Sequence, residues 1–234
     1  MFTNKMIADL LIPVVLEQLL NSIMGTADTM MVSNVGSAAI SAVSLVDSIN
    51  VLVIQAFSAL AAGGAIVCAQ YIGQKNVKRA NESARQVLFF ITAISVVISL
   101  ICLVFQKPML RLIFGSVEAE VMRASEIYFF YTALSFPFIA AYDSAASIFR
   151  AQDNTKGPML ISMISNVMNM AGNAMLIWGF HMGVAGAGLA TVGANATSAV
   201  QILYFLTHEE LPIRLSFKSL TIDQDAVSKI LKIG

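Results

Sequence analysis

Long charge-free runs dominate the chain and divide it. Between Ser48 and Gln74 there is no Asp, Glu, Lys or Arg, and the same holds from Gln86 to Gln106. From Gly157 to Thr207, fifty-one residues pass without one. About 20 helical residues span a hydrocarbon core of about 30 Å, so each short run predicts one crossing. The longest predicts two, broken at the glycine-rich GFHMGVAGAG. Ile12 to Val32 and Ile127 to Phe149 are apolar runs with a few polar interruptions, and predict two more. The pattern therefore predicts an all-α integral membrane protein, a six-transmembrane-helix bundle. Its spans lie near 12–32, 48–72, 86–106, 127–149, 159–180 and 184–206. Between them lie the basic GQKNVKRANESAR, the mixed-charge Lys107 to Glu126, and RAQDNTKGP with turn chemistry at Lys156-Gly157-Pro158. Residues 1–206 form the predicted lobe, and 207–234 a cytoplasmic linker.

Small residues predict how these helices meet. Gly186, Ala190, Ala194 and Ser198 recur every four residues, as do Ala187, Thr191, Asn195 and Ala199. Ala61, Ala65 and Ala69 repeat the habit in the second span. In lipid, that spacing lets helix backbones approach closely, so the spans should form one compact bundle.

Composition agrees with the pattern. The chain is 57% hydrophobic and 12% charged, against about 25% charged in a soluble domain. Its net charge of zero offers no basic face for nucleic acid. Cys68 and Cys102 sit in apolar runs without CxxC spacing, which reads as two buried side chains rather than a disulfide or metal framework. Glu17 and Asn21 interrupt the first run, so it is not a signal peptide. With the first connection placed outside, eleven Lys and Arg fall inside; only Lys107, Arg111 and Arg123 fall outside. That bias predicts cytoplasmic termini and puts Asp28 in the outer half of the first span.

Charge inside the spans points to chemistry. A carboxylate at membrane depth is costly unless paired or wet, and so marks an ion or substrate path. Glu17 and Asp28 are eleven residues apart, about three helical turns, so they share a face as two stations roughly 16 Å apart. Pro13 lacks an N–H and predicts a loosened helix before them. Ser165, Asn169 and Asn173 are four apart and line one face of the fifth span. Their amide oxygens suit either a Na⁺ or a carboxyl hydrogen bond, or they glue helices together; Thr191 and Asn195 add a hydroxyl and an amide. Asp143 lies about two turns before Arg150, as an acid paired near the inner surface. There is no glycine-rich phosphate loop, zinc spacing or Ser/His/Asp grouping, so the reading is not an enzyme and calls for no cofactor.

Four stretches in order carry a family resemblance. Pro13 followed by Gly25-Thr26-Ala27-Asp28-Thr29-Met30-Met31 is similar to a proline and a G-x-x-D-T-x-M pattern. AQYIGQKN, Ala69 to Asn76, and FRAQDNTKGPM, Phe149 to Met159, resemble two loops, although Ala151-Gln152-Asp153 replaces a Gly-x-Gly. NMAGNAMLIWG and GVAGAGLAT, Asn169 to Thr191, resemble the helix 5 and helix 6 patterns. Together they resemble the N-terminal half of a multidrug and toxic compound extrusion (MATE) transporter, one lobe of a twelve-helix fold.

The resemblance implies antiport of organic cations or other drugs against Na⁺ or H⁺ by alternating access, in the cell membrane. It implies that Asp28, Asn169, Asn173 and Thr191 form the coupling-ion site, with Na⁺ held at Asp28, Asn169 and Thr191. Pro13 would bend helix 1, and Glu17 would be a secondary polar station. One branch of the family has an aspartate where Asn173 stands, so one carboxylate is missing here. AVSKILKIG, Ala226 to Gly234, resembles the approach to a second lobe and the chain's own Lys5 to Ile12. The expected partners are the bilayer, small organic cations, and either a missing second lobe or a second copy of the chain. A lipid-linked-substrate flippase and a non-transporting scaffold are the other readings.

Overall fold

The computed structural model describes residues 4–208 and Ile213, with side chains from Leu10 onward. The helices are α1 (Asn4–Ser33), α2 (Ser37–Gly73), α3 (Val77–Val104), α4 (Gln106–Phe114), α5 (Ala119–Arg150), α6 (Lys156–Asn173) and α7 (Gly183–His208). A π-helical segment, Ala174–Gly179, extends α6. Among the described residues, five stretches are long and apolar enough to cross a membrane: Leu10–Ser33, Ser37–Gly73, Val77–Val104, Lys156–Gly179 and Gly183–His208. α5 carries charges near both ends, but it is the centre of the bundle, packed on α2, α3 and α7. Shielded from lipid, it tolerates polar residues that an outer helix would not. With α5, six long helices stand where the pattern predicts six crossings.

The helices run past the charge-free windows. α2 begins at Ser37 and so takes in Asp47; α3 begins at Val77 and α5 at Ala119. The stretch read as a loop after the third span contains α4, a short helix that buries Leu110 and exposes Leu112. Charge marks where lipid ends. It does not mark where backbone hydrogen bonding ends, so a helix continues into the polar layer. Asn76 caps α3, its side chain accepting from Arg79 N at 3.2 Å. Residues 209–212 and 214–234 of the predicted linker lie outside the described residues.

Two apolar clusters hold the bundle. One gathers Phe57, Phe129 and Phe136 with Val46 and Ile91, and the other Ile148, Phe149, Ile202 and Leu206. Cys68 and Cys102 are buried and free. Gly186, Ala190, Ala194 and Ser198 are all buried along α7, where a Cβ on Gly172 would stand 3.1 Å from Ala190 Cβ. A close approach occurs at Gly64, where a Cβ would lie 2.5 Å from Val87 Cγ2. Val87 is fully buried and β-branched, with little rotamer freedom to yield. Gly64→Ala should therefore cost about 1–3 kcal/mol of overpacking in detergent unfolding. Adding Val87→Ala should recover part of that loss; an unchanged single variant would show that the α2–α3 contact is slack.

Candidate functional site

A polar seam runs along α1. Glu17, Asn21 and Asp28 recur at helical spacing, and each meets a partner from α5 or α6. At one end Arg150 Nη2 donates to both Glu17 oxygens, at 3.2 and 3.0 Å. Tyr142 Oη lies 3.3 Å from Glu17 Oε1 and 2.9 Å from the Pro158 carbonyl oxygen. In the middle, Asn21 Oδ1 accepts from Ser162 at 3.0 Å and Asn166 at 2.7 Å. At the other end Asn173 Nδ2 donates to Asp28 Oδ1 at 2.7 Å. The opposite side of α1 is apolar and exposed, at Leu11, Val15, Leu19 and Ile23.

The Asp28 end is the denser cluster. Ser165, Asn169 and Asn173 all lie on the buried face of α6, as their four-residue spacing requires. The Asn169 carboxamide atom facing Asp28 is 3.0 Å from both carboxylate oxygens. With nitrogen there, the amide donates to Asp28 and its oxygen accepts from Thr191 Oγ1 at 3.3 Å. With oxygen there, three oxygens face one another, an arrangement that favours a bound cation or a proton on Asp28. The Asn173 side-chain oxygen is buried and has no hydrogen-bond partner among the described residues. With oxygen toward Asp28, Asn169 Nδ2 donates to Thr191 Oγ1 at 3.3 Å, and the single Thr191 hydroxyl proton goes to the Ala187 carbonyl oxygen at 3.0 Å. Hard oxygens with amide donors can hold a small cation or exchange a proton. The backbone opens into the π-helical segment directly after Asn173, a local irregularity of the kind that often accompanies functional sites.

Glu17 sits elsewhere. It is 4% exposed, and Arg150, 33% exposed, occupies both its oxygens, so it acts as an ion-paired clamp between α1 and α5. The reading that paired Asp143 with Arg150 is corrected: Asp143 Oδ2 accepts from Ser58 on α2 at 2.7 Å. Arg150 instead turns toward the buried carboxylate on α1, which offers a two-oxygen acceptor. Pro13 is buried, and α1 continues through it. Asn195 does not join the Asp28 cluster; it lines a cavity beside Asp47 and Asn50.

Sequence reasoning missed Asp47 and Tyr128. Tyr128 on α5 lines the same cavity as Asp47 and Thr191. The missed signal is SLVDSIN, an acid four residues before an apolar run and outside every charge-free window.

Known proteins share this arrangement of helices. The chain is 27% identical over 227 residues to "Uncharacterized transporter YisQ" of Bacillus subtilis (strain 168), covering 95% of this chain and 49% of that protein. It is 25% identical over 232 residues to "Probable multidrug resistance protein YoeA" of the same organism, covering 96% of this chain and 50% of that one. A solved outward-facing conformation of a multidrug resistance MATE family transporter of the MOP superfamily matches with a TM-score of 0.89 at 19% identity. That match covers 97% of this chain and 50% of the other, so the fold is that of one lobe. The chain thus spans about half the length of the relatives it matches. Residues 13–175, most of the described bundle, match the MatE family, and the chain belongs to it.

Proposed function

We propose that the chain is the N-terminal lobe of a secondary active multidrug efflux transporter, exchanging organic cations for Na⁺ or H⁺ by alternating access. The observation that carries this reading is the Asp28 cluster, a carboxylate inside a membrane bundle, faced by Asn169, Asn173 and Thr191. Na⁺ coordination or protonation would neutralise Asp28 and let the oxygen-bearing faces of α1 and α6 close on each other. Loss of the ion would restore a charge that amides and water must solvate. A ligand drives such a change only by binding the two conformations unequally, and a charge-neutralising ion does so. The working unit is this lobe with a second one, in the cell membrane with cytoplasmic termini. The YoeA likeness supports a drug-like substrate.

The test is efflux from vesicles containing the purified full-length protein, with either a Na⁺ or a proton gradient imposed. One gradient should drive efflux of a lipophilic cation such as ethidium, and dissipating it should stop efflux. Efflux indifferent to both gradients would refute antiport.

A further inference from the structure

The turn from α2 to α3 is an ordered corner that carries cations. Lys75, Lys78 and Arg79 are all exposed there, and none has a carboxylate within ion-pair distance among the described residues. We propose that this corner is a docking surface for an anionic phospholipid, with Lys75, Lys78 and Arg79 on the headgroup phosphate and Val77 against the glycerol and upper acyl chain. The surface lies away from the polar seam of α1, and the contact requires neither antiport nor a second lobe.

Three observations carry it. The corner is shaped in advance. Lys75 sits at φ 57°, its N–H donates to the Ile72 carbonyl oxygen and that of Asn76 to the Tyr71 carbonyl oxygen, both at 2.9 Å. A backbone fixed before the ligand arrives lowers the ordering cost of binding. The charges also run against the helices. The first turn of α3 holds Lys78 and Arg79 and no acid, although the positive end of a helix dipole favours anions. Lys156 in the first turn of α6 repeats the inversion, and Ala80 and Phe149 share one apolar cluster, which sets both helix starts at one end of the bundle. An anion there relieves the repulsion. At the other end Lys107, Arg111 and Arg123 are matched by Glu118, Glu120 and Glu126, so no such excess arises. Finally, the depth fits a headgroup. The charge-free run of α3 begins at Gln86, seven residues or about 10 Å beyond Arg79. The polar layer of a bilayer is about 5–8 Å deep on each side, and long basic side chains reach the rest. Val77, 48% exposed, places an apolar side chain among the cations, which a lipid covers and a free inorganic anion does not.

The experiment titrates the purified full-length protein in detergent with phosphatidylglycerol or with phosphatidylcholine of the same acyl chains, and counts bound lipid by native mass spectrometry. Phosphatidylglycerol should bind about tenfold or more tightly than phosphatidylcholine, the scale of a few cations near an anionic surface. Lys75→Gln, Lys78→Gln and Arg79→Gln together should bring the two lipids within about threefold. Lys107→Gln with Arg111→Gln, exposed cations at the other end, should leave the preference unchanged. Should the triple variant not fold, Lys75→Gln and Lys78→Gln singly carry the test, each with a several-fold loss of preference. The proposal is overturned if the unsubstituted protein shows no preference, or if the preference survives the substitutions at the corner. It is equally overturned if the Lys107 and Arg111 variant loses the preference as fully. Displacement of phosphatidylglycerol by excess inorganic phosphate would mark a plain anion site and overturn the lipid assignment. Lipid binding is read without efflux, so its failure leaves the transport reading standing, and failed antiport leaves this surface standing.

Discussion

Asp28→Asn should bring gradient-driven efflux down to the passive leak of protein-free vesicles. The substitution keeps the size of the side chain and one oxygen, so the contact with Asn173 at 2.7 Å can persist in altered form. What disappears is the charge that a coupling ion neutralises. An ion that no longer distinguishes the two conformations shifts neither, whatever its concentration. Losing one charge-assisted contact of about 1.5–3 kcal/mol would weaken ion binding by about tenfold to a hundredfold. Substrate binding measured without a gradient should survive, because the loss lies in coupling. Asn169→Ala should weaken the ion less, since Thr191 and Asn173 remain. Undiminished Na⁺- or pH-driven efflux by the Asp28→Asn protein would remove Asp28 from the mechanism.

The second large effect concerns stability. Arg150→Ala should leave the Glu17 carboxylate, 4% exposed, without its cation. Breaking a buried pair by removing one partner costs about 3–5 kcal/mol, because the remaining charge is stranded. The low end applies here, since a third of the Arg150 side chain reaches the surface and Tyr142 remains near Glu17. The double variant Glu17→Gln with Arg150→Met should recover most of the loss, because it removes both charges together. Thermal unfolding in detergent would show a clear drop for the single variant and near-recovery for the double. Equal losses in both would mean that the residues stabilise the fold independently. The pair also ties one end of α1 to α5. In vesicles, the double variant should therefore alter how readily α1 moves, a change visible in efflux rate even when stability is restored.

Much of the molecule was legible along the chain. Membrane residence, helical crossings and the small-residue face of α7 all follow from local rules. A 30 Å hydrocarbon layer demands a fixed length of apolar helix, and a four-residue repeat lands on one face whatever surrounds it. For the same reason, Ser165, Asn169 and Asn173 could be placed on one face of α6 from spacing alone. Spacing also put Glu17 and Asp28 on the same side of α1. What each of them does there depended on residues far away in sequence. Arg150 reaches Glu17 across 133 positions, and Asn173 reaches Asp28 across 145. Nothing local records such pairings, which arise when α5 and α6 pack against α1. Asp47 shows the limit most directly. It lies outside every charge-free window, yet the packing of α2 against α5 sets it beside Tyr128 at the edge of a cavity. The sequence by itself determined which segments are apolar enough to cross a membrane as helices and which face of α1 and α6 is polar, because helix periodicity and lipid thickness are local constraints. Only the tertiary structure decided which carboxylate is clamped by an arginine, which lies among amides and which opens on a cavity, because these depend on neighbours contributed by other helices.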